Sequence, residues 1–408
     1  MAWRKAKRDL TTEEQLARGP VDLPFLTLVV LLTGVGLLML LSASYPSAYY
    51  NLEKGIDTGG NPYYYFNRQL GFAVLGFVAM WFAAKVDYQR YRWLSVFALV
   101  GSVILLILIF SPLGREYNGA RRWLKLGIQF QPSEFAKIGV IMYFSARLSK
   151  RKSKLKEPKK WNKRRLFGRI GAFLDHIGFL ELIPYGVILA IVLGLIGMQS
   201  HMSCMVLIAI SSVAVLYAAG IHWLWFIAGL GGGSGLLYLI MTKTDYMAAR
   251  LENWRNPEAN AQGGNSQIIQ SKIAIGSGGL LGQGLGNGKQ KFLFLPEEHN
   301  DFIFAVVCEE LGLIGACVII LLFALLIIRG YWLAIHARDR FGTLLIVGIT
   351  TLLAAQVILN IGVVTGVLPT TGISLPFFSY GGTALAIQLA EMGIILGVSR
   401  QIPAARAG

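Results

Sequence analysis

Long apolar stretches separated by shorter polar ones run along most of the chain. A helix needs about 20 mostly apolar residues to cross a membrane, and ten stretches approach that length. The predicted spans cover residues 25–45, 67–86, 93–112, 133–148, 178–198, 202–219, 221–241, 302–329, 343–367 and 382–399. The pattern therefore predicts an all-α integral membrane protein with about ten transmembrane helices and a large external loop between helices 7 and 8.

The composition agrees with a location in the membrane. Of the 408 residues, 54% are hydrophobic and 15% are charged, and the mean hydropathy of +0.55 is too high for an ordinary soluble protein. The first apolar run is longer than the core of a cleaved signal peptide, so we expect a retained helix. The three cysteines lie inside predicted spans, and no disulfide framework is predicted.

Lysine and arginine lie mostly on one side of the predicted bundle. An even number of spans places both termini on that side, which carries 25 of the 38 Lys and Arg residues. Cytoplasmic loops are enriched in these residues, so we expect both termini to be cytoplasmic. The predicted regions are an N-terminal tail at 1–24, a membrane domain at 25–399 and a C-terminal tail at 400–408. The membrane domain includes a basic cytoplasmic loop at 149–170 and the external loop at 242–301.

The basic run at 147–169 contains 12 of these cations. Such a run anchors the topology and contacts anionic lipid headgroups. No nucleic-acid recognition motif accompanies it, so no nucleic-acid partner is predicted.

The large external loop contains the glycine-rich stretch GSGGLLGQGLGNG at 276–288. A dinucleotide site would need a strand before it and a helix after it, and neither is predicted here. We expect a flexible or tightly turning segment instead. The preceding stretch at 266–276 is predicted to be a short amphipathic helix that could lie along the membrane surface.

Ionisable residues inside or at the mouth of predicted spans are candidates for function, because charge at that depth is costly. They are Glu134, Lys137, Asp301, Glu309, Glu310 and Glu391. Structural alternatives stay open for most of them. Glu134 and Lys137 share a helix face and could pair with each other. Asp301 could cap a helix, and Glu309 and Glu310 could tie helices together.

The third external loop, at 368–381, contains two prolines and several glycines between two apolar spans. Irregular backbone near membrane depth must be buried in protein or line a cavity. The external mouth of the bundle is therefore expected to hold a polar pocket walled by these loops.

Three long segments, together with the ten-span layout, resemble the SEDS family (FtsW, RodA and the sporulation protein SpoVE). They are NGARRWLKLGIQFQPSEFAKI at 118–138, QSKIAIGSGGLLGQGLGNGKQKFLFLPEEHNDFIFAVVCEELGLIG at 270–315, and NIGVVTGVLPTTGISLPFFSYGG at 360–382. The short stretches VVTG and GVSR are more similar to FtsW and SpoVE than to RodA.

The resemblance implies a peptidoglycan glycosyltransferase that polymerises lipid II into glycan strands at the outer face of the bacterial cytoplasmic (inner) membrane. It would act in cell division or sporulation, or in elongation if it is RodA-like. The implied partners are a class B penicillin-binding protein (a transpeptidase) and membrane proteins of the divisome or elongation complex. Two alternatives stay open: a lipid II flippase, and a non-catalytic scaffold for the penicillin-binding protein.

In this reaction a sugar 4-hydroxyl attacks the anomeric carbon that bears the pyrophosphate, which requires a base and cations. Asp301 occupies the place of the family's essential aspartate and is the candidate base. The candidate substrate-binding residues are Arg121, Arg122, Trp123, Gln131, Ser133, Glu134, Lys137, Gln270, Lys272, Glu297, His299 and Ser379. No cofactor or metal site is predicted, although Glu297 and Glu298 leave a divalent cation open.

Two positions depart from the family pattern. Asn300 stands where the family usually has Thr, and an amide can still form hydrogen bonds. The stretch MQSHMS at 198–203 lacks the proline and the aspartate that family members usually carry there. Any role of that acid is therefore in doubt for this chain.

Overall fold

The computed structural model describes residues 19–50, 58–150 and 179–402, apart from 118–119, 127, 200, 223, 228, 230, 233–234, 236–251, 253, 257–265 and 293. The main helices there are α1 (Leu23–Tyr49), α2 (Tyr64–Lys85), α3 (Arg90–Leu108), α4 (Pro132–Ser149), α5 (Phe179–Met198), α6 (Met202–Ala218), α7 (Ser266–Gly278), α8 (Ile303–His336), α9 (Arg340–Val364) and α10 (Gly382–Ser399). Three short strands, β1 (Gly114–Tyr117), β2 (Ala120–Leu126) and β3 (Ile128–Phe130), lie between α3 and α4.

Nine of the predicted spans coincide with helices in this part of the chain. Six described helices are long and apolar enough to cross a membrane: α1, α3, α5, α8, α9 and α10. Helix α6 is apolar but shorter. The predicted seventh span at 221–241 lies largely outside the described residues, as do most of the basic loop and most of both tails.

The helices bury two apolar clusters side by side. One cluster joins residues of α1, α2, α8, α9 and α10, and the other joins α3, α4, α5 and α6. Helices α2 and α10 approach very closely, because a Cβ at Gly393 would overlap the main-chain oxygen of Met80. Small residues permit such approach between membrane helices, where packing supplies much of the attraction.

The two ends of the described chain meet on one face of the bundle. Gly19 N donates to the main-chain oxygen of Arg400 at 2.8 Å. Asp22 caps the start of α1 by accepting from Phe25 N, and it also pairs with Arg329 near the end of α8. Near the other end of α1, Ser47 donates to Glu298, three residues before Asp301. Helix α1 therefore runs from the face where the two ends of the described chain meet to the face that carries Asp301.

Residues 112–132, between the predicted third and fourth spans, contain a small antiparallel sheet. Its strand order is β1-β2-β3. Leu124 of β2 is fully buried in the second apolar cluster, which holds the sheet on the bundle. Pro132 then begins α4, where its missing N–H costs nothing. The sheet therefore fixes the residues before α4 in place.

The expectations for the glycine-rich region are partly wrong. Helix α7 forms as predicted, but its residues Ile268, Ser271 and Ala274 are buried, and Ser271 Oγ donates to Val364 O at 2.7 Å. It packs on α8 and α9 instead of resting on a membrane surface by its apolar face. The glycine-rich residues after it turn tightly and lie in a break of α8 at Gly312, where φ is 67° and ψ is −172°.

Two glycines of α1 give a matched test of close packing. A Cβ at Gly36 would overlap the main-chain oxygen of Phe377, whereas a Cβ at Gly34 would meet open space. We expect Gly36→Ala to lower the stability in detergent by about 1–3 kcal/mol through overpacking. Gly34→Ala should leave it unchanged or slightly higher, since Ala favours helix. Equal melting temperatures for the two variants would contradict this packing.

Candidate functional site

Asp301 is held at the mouth of the bundle by residues from two other elements. The residue is half-buried, and its carboxylate lies against Gly372 in the loop before α10. Its main-chain oxygen accepts from Asn360 Nδ2 at 2.8 Å, and the same amide donates to Ile373 O at 2.6 Å. The capping alternative is wrong, because Phe302 is the N-cap of α8 and no side chain caps it.

Further hydrogen bonds fasten the segment before Asp301 to the same loop. Ser379 Oγ donates to Asn300 O at 2.7 Å and accepts from Leu375 N at 2.7 Å. Asn300 Nδ2 donates to the half-buried Glu297 at 2.6 Å. An amide at position 300 therefore performs a specific task, and Ser379 joins the two segments.

Glu298 and His299 are buried, although they precede the predicted eighth span rather than lie within it. Ser47 Oγ donates to Glu298 Oε1, and His299 Nδ1 lies 3.4 Å from the same oxygen. The imidazole packs on the rings of Tyr65 and Tyr380, with centroids 4.7 and 5.9 Å away. Glu298 is thus engaged within the protein, and His299 helps to fix the segment that carries Asp301.

A small polar cavity of about 30 Å³ opens beside this segment. Its lining comes from α4, α9, α10 and the loop before α10: Glu134, Lys137, Gln356, Ser374, Leu375, Pro376, Phe377, Ser379, Tyr380, Gly381, Ala384, Leu385, Gln388 and Glu391. The expected polar pocket at the mouth is therefore present. Ser379 belongs both to the cavity wall and to the hydrogen bonds that hold Asn300.

Charged groups face each other across the cavity. Lys137 is 3% exposed, and its Nζ lies 2.8 Å from Glu134 Oε2, so the predicted pairing of these two residues occurs. Glu391 of α10 lines the same cavity. A buried ammonium that is paired with a carboxylate is better compensated than an unpaired one, and all three charged side chains belong to one cavity wall.

The turn between α5 and α6 packs against the start of α4. His201 Nδ1 lies 3.4 Å from Gln131 Nε2 and 3.4 Å from Ser133 Oγ. Burial, together with the charges of Arg122 and Lys137, lowers the pKa of His201 from 6.5 to about 3. A neutral imidazole therefore occupies this turn, which departs from the family pattern.

The two arginines of β2 have different surroundings. The register of β1 on β2 shifts beside Arg122 and leaves it without an opposite residue. Such a bulge re-aims a side chain, and Arg122 Nε donates to Gln199 O at 3.4 Å. Arg121 is exposed, with Nε 3.5 Å from Glu116. Trp123 is half-buried beside them.

The predicted site residues fall into two groups. Contacts among described residues bring most of them to one region: Arg122, Gln131, Ser133, Glu134, Lys137, Glu297, His299, Asp301 and Ser379. Gln270 and Lys272 lie on α7, where Lys272 is exposed and its stem rests against Gly366 at the start of the loop before α10. Within the described part of the chain, Gln270, Lys272, Arg121 and Trp123 lie outside this network of contacts.

Two polar residues of the cavity wall, Gln356 and Gln388, were not among the predicted site residues. Gln356 and Gln388 lie in apolar spans, with Gln388 Nε2 3.5 Å from Gln356 Oε1 and Gln388 Oε1 accepting from Phe377 N. Glu391 was a candidate without a predicted role. The sequence held a signal for this wall, because Gln388 and Glu391 are three residues apart and therefore share one polar helix face.

Three comparisons with known proteins bear on this site. A family model described as "Cell cycle protein" (FTSW_RODA_SPOVE) matches residues 23–403. The "Probable peptidoglycan glycosyltransferase FtsW" of Trichlorobacter lovleyi is 40% identical over 381 residues, 93% of each chain. The "Stage V sporulation protein E" of Bacillus subtilis is 37% identical over 382 residues, 93% of this chain and 97% of that protein.

A solved structure has a similar fold. One chain of the structure reported as "Structural coordination of polymerization and crosslinking by a peptidoglycan synthase complex" matches with a TM-score of 0.71 and 27% identity. The match covers 94% of this chain and 99% of that chain. The multi-helix arrangement over most of the chain thus follows a known fold.

The buried His201 predicts a specific dependence of stability on pH. Its folded pKa lies below its unfolded value, so stability is fully present above pH 6.5 and falls as the pH drops toward 3. The expected slope is about 1.4 kcal/mol per pH unit. His201→Asn should reduce the acid-induced fall of the melting temperature between pH 6.5 and 4.5. His336→Asn, at an exposed position, is the control for the substitution. Equal slopes for the wild type and His201→Asn would contradict a neutral buried imidazole.

Proposed function

Because the chain belongs to the FtsW, RodA and SpoVE family of cell cycle proteins, we propose that it is a peptidoglycan glycosyltransferase that polymerises lipid II. Its relative at 40% identity bears that activity in its name. The observation that carries the proposal is the position of Asp301. Its half-buried carboxylate lies against the loop that also walls a cavity with a buried cation.

The proposed orientation puts this cavity at the outer face of the bacterial cytoplasmic membrane. In it the chain has ten spans at 25–399, cytoplasmic tails at 1–24 and 400–408, a basic cytoplasmic loop at 149–170 and an external loop at 242–301. Gly19 and Arg400, near the two ends of the described chain, meet on the face opposite Asp301, which supports this arrangement. The excess of Lys and Arg on that side supports it as well.

Asp301 acts as the general base in the proposed mechanism. It takes the proton of the acceptor 4-hydroxyl as that oxygen bonds to the anomeric carbon of the donor. The bond from the anomeric carbon to the pyrophosphate breaks, and the pyrophosphate leaves on the undecaprenyl chain with the electron pair. An α-linked donor then yields a β-linked product by a single inversion, without a glycosyl-enzyme.

The leaving pyrophosphate needs cations that are already in place, so that no reorganisation is required as its negative charge grows. Arg122 and Lys137 would face it from β2 and α4. The exposed Arg121 would join them, since guanidinium groups match phosphate oxygens. Lys272 would approach from α7. Glu134 holds Lys137 in place, and Trp123 would stack on a sugar. The remaining proposed contacts with substrate are Gln131, Ser133, Gln270, Glu297, His299 and Ser379.

The proposed partner is a class B penicillin-binding protein that cross-links the product. The similarity to a chain of a peptidoglycan synthase complex supports a partner of this kind. Relatives named FtsW and Stage V sporulation protein E favour a role in division or sporulation, with membrane proteins of those complexes as further partners.

Purified protein in detergent tests the function directly, because no membrane remains to be crossed. We expect the protein, alone or with its cognate penicillin-binding protein, to convert lipid II into glycan strands. A flippase would yield no strands, and a scaffold would yield none beyond those of its partner.

Asp301→Asn tests the role of the base with little change in size. We expect the polymerisation rate to fall about 10²–10⁴-fold, because the amide cannot accept the hydroxyl proton. Glu252→Gln makes the same chemical change at an exposed helical position of the external loop and should keep full activity. Full activity of Asp301→Asn on purified lipid II would show that another group is the base.

A further inference from the structure

Helix α8 is two helices joined by a break. Gly312 adopts a left-handed conformation, which separates an upper half-helix at 303–311 from a longer lower part. Residues 302–310 are all buried, including Glu309 at 0% and Glu310 at 1% exposure. The upper half-helix begins two residues after Asp301, so its placement determines that of Asp301.

The break leaves backbone groups that the helix itself cannot satisfy, and the glycine-rich segment at 279–288 satisfies them. Gln283 N and Gly284 N donate to the main-chain oxygens of Glu309 and Glu310, both at 3.0 Å. Below the break, Leu313 N and Ile314 N donate to the oxygens of residues 279 and 280 at 2.9 and 3.1 Å. One segment of the external loop thus bonds both sides of the break.

The carboxylates of Glu309 and Glu310 bind the end of this segment and the residues that directly follow it. Glu309 accepts from Lys289 N at 2.8 Å and from Gln290 N at 3.2 Å. Glu310 accepts from Gly286 N at 3.1 Å and pairs with Lys291 Nζ at 2.7 Å. Charge at this depth is therefore fully partnered, as burial requires.

Lys291 is as completely engaged as its partner. Its ammonium has three donors, and they reach Glu310 Oε1 at 2.7 Å, Ser42 Oγ at 2.9 Å and Gly286 O at 2.8 Å. Ser42 in turn donates to Glu310 at 2.7 Å. The ion pair therefore joins α1, the glycine-rich segment and the upper half-helix at one point.

The segment fits only because several positions have no side chain. A Cβ at Gly278 would overlap Cys308 O, and one at Gly282 would overlap Glu310 O. A Cβ at Gly288 would lie 3.0 Å from carboxylate oxygens of both Glu309 and Glu310. The glycines thus serve close approach of two backbones.

We propose that Glu309, Glu310 and Lys291 are positioning residues that lock the glycine-rich segment into the break of α8 and thereby hold Asp301 in its reactive place. The upper half-helix is short, and the break at Gly312 interrupts its regular continuation into the lower helix. Its position is fixed by its burial, by these bonds and by the contacts of Asp301 with α9 and the loop before α10. The catalytic part of this proposal rests on the proposed function.

Hydrogen exchange tests the lock independently of activity. Glu310→Gln leaves the Lys291 ammonium buried without its counter-charge, and Lys291→Met leaves the Glu310 carboxylate in the same state, whereas the double variant buries neither charge. For the intact protein in detergent we expect each single variant to speed amide exchange at 303–311 at least tenfold. The double variant should stay at least tenfold faster than wild type, because neither residue then ties the segment to the half-helix. Unchanged exchange in the single variants would overturn the lock, and so would a return to the wild-type rate in the double variant, which would trace the effect to an unpaired charge.

Kinetics with lipid II test the consequence for Asp301. Each single variant should lower kcat at least tenfold and leave KM within twofold, because the groups that bind substrate are untouched, and the double variant should show the same loss of kcat. A loss of activity that follows only the folded fraction, or a parallel rise of KM, would overturn the positioning role. A wild type without polymerase activity would refute the proposed function, while the exchange data would still decide the lock.

Two glycines of α7 provide a matched pair for the same test. Gly278→Ala places a Cβ against Cys308 O, whereas a Cβ at Gly276 would meet open space in the same helix. We expect Gly278→Ala to speed exchange at 303–311 and to lower kcat as the charge variants do. Gly276→Ala should match wild type in both measurements. Identical behaviour of the two alanine variants would contradict the close approach.

Discussion

Inside a membrane, backbone N–H and C=O groups that a helix break leaves without partners must form hydrogen bonds with other parts of the protein, because lipid offers no water to them. This requirement organises the structure around Asp301, where the break lies at Gly312. The chain meets the requirement with a segment of its own external loop, which bonds both sides of the break. The glycines, the two buried glutamates and Lys291 all follow from fitting that segment into a helix.

The same requirement explains why the site is rigid although much of it is loop. Asn360 spends both N–H groups of its amide on Asp301 O and Ile373 O. Ser379 joins Asn300 to Leu375, and Tyr380 N donates to His299 O at 2.9 Å. Irregular backbone at the mouth is thus paired to its neighbours, which holds a carboxylate steady beside a cavity.

The cations near the cavity differ in their exposure. Lys137 is buried and pairs with Glu134. Arg122 is partly exposed, and its Nε donates to Gln199 O at 3.4 Å. His201 beside it stays neutral. A partly exposed guanidinium beside a neutral imidazole suits the proposed recognition of a pyrophosphate, whose oxygens match its fork of donors.

Much of the membrane fold could be predicted from sequence, because apolar runs of sufficient length report directly on helices in lipid. The candidate site was also accessible, since Asp301 and the Glu134–Lys137 pair are charges where charge is costly. The small sheet and the buried state of His299 were not predicted, because they depend on contacts between distant segments. Glu309 and Glu310 stayed unexplained for the same reason: their partners are backbone amides and, for Glu310, also Lys291 and Ser42 from other segments, and the sequence pattern does not show which segments meet.

The most direct test of Asp301 as the base is a structure of this protein with a donor and an acceptor analogue of lipid II bound. If the proposed chemistry is right, the acceptor 4-hydroxyl will lie about 2.6–3.2 Å from an Asp301 carboxylate oxygen. The donor pyrophosphate will lie on the side of Arg122 and Lys137. An acceptor hydroxyl that faces another base, with Asp301 out of reach of both sugars, would contradict it.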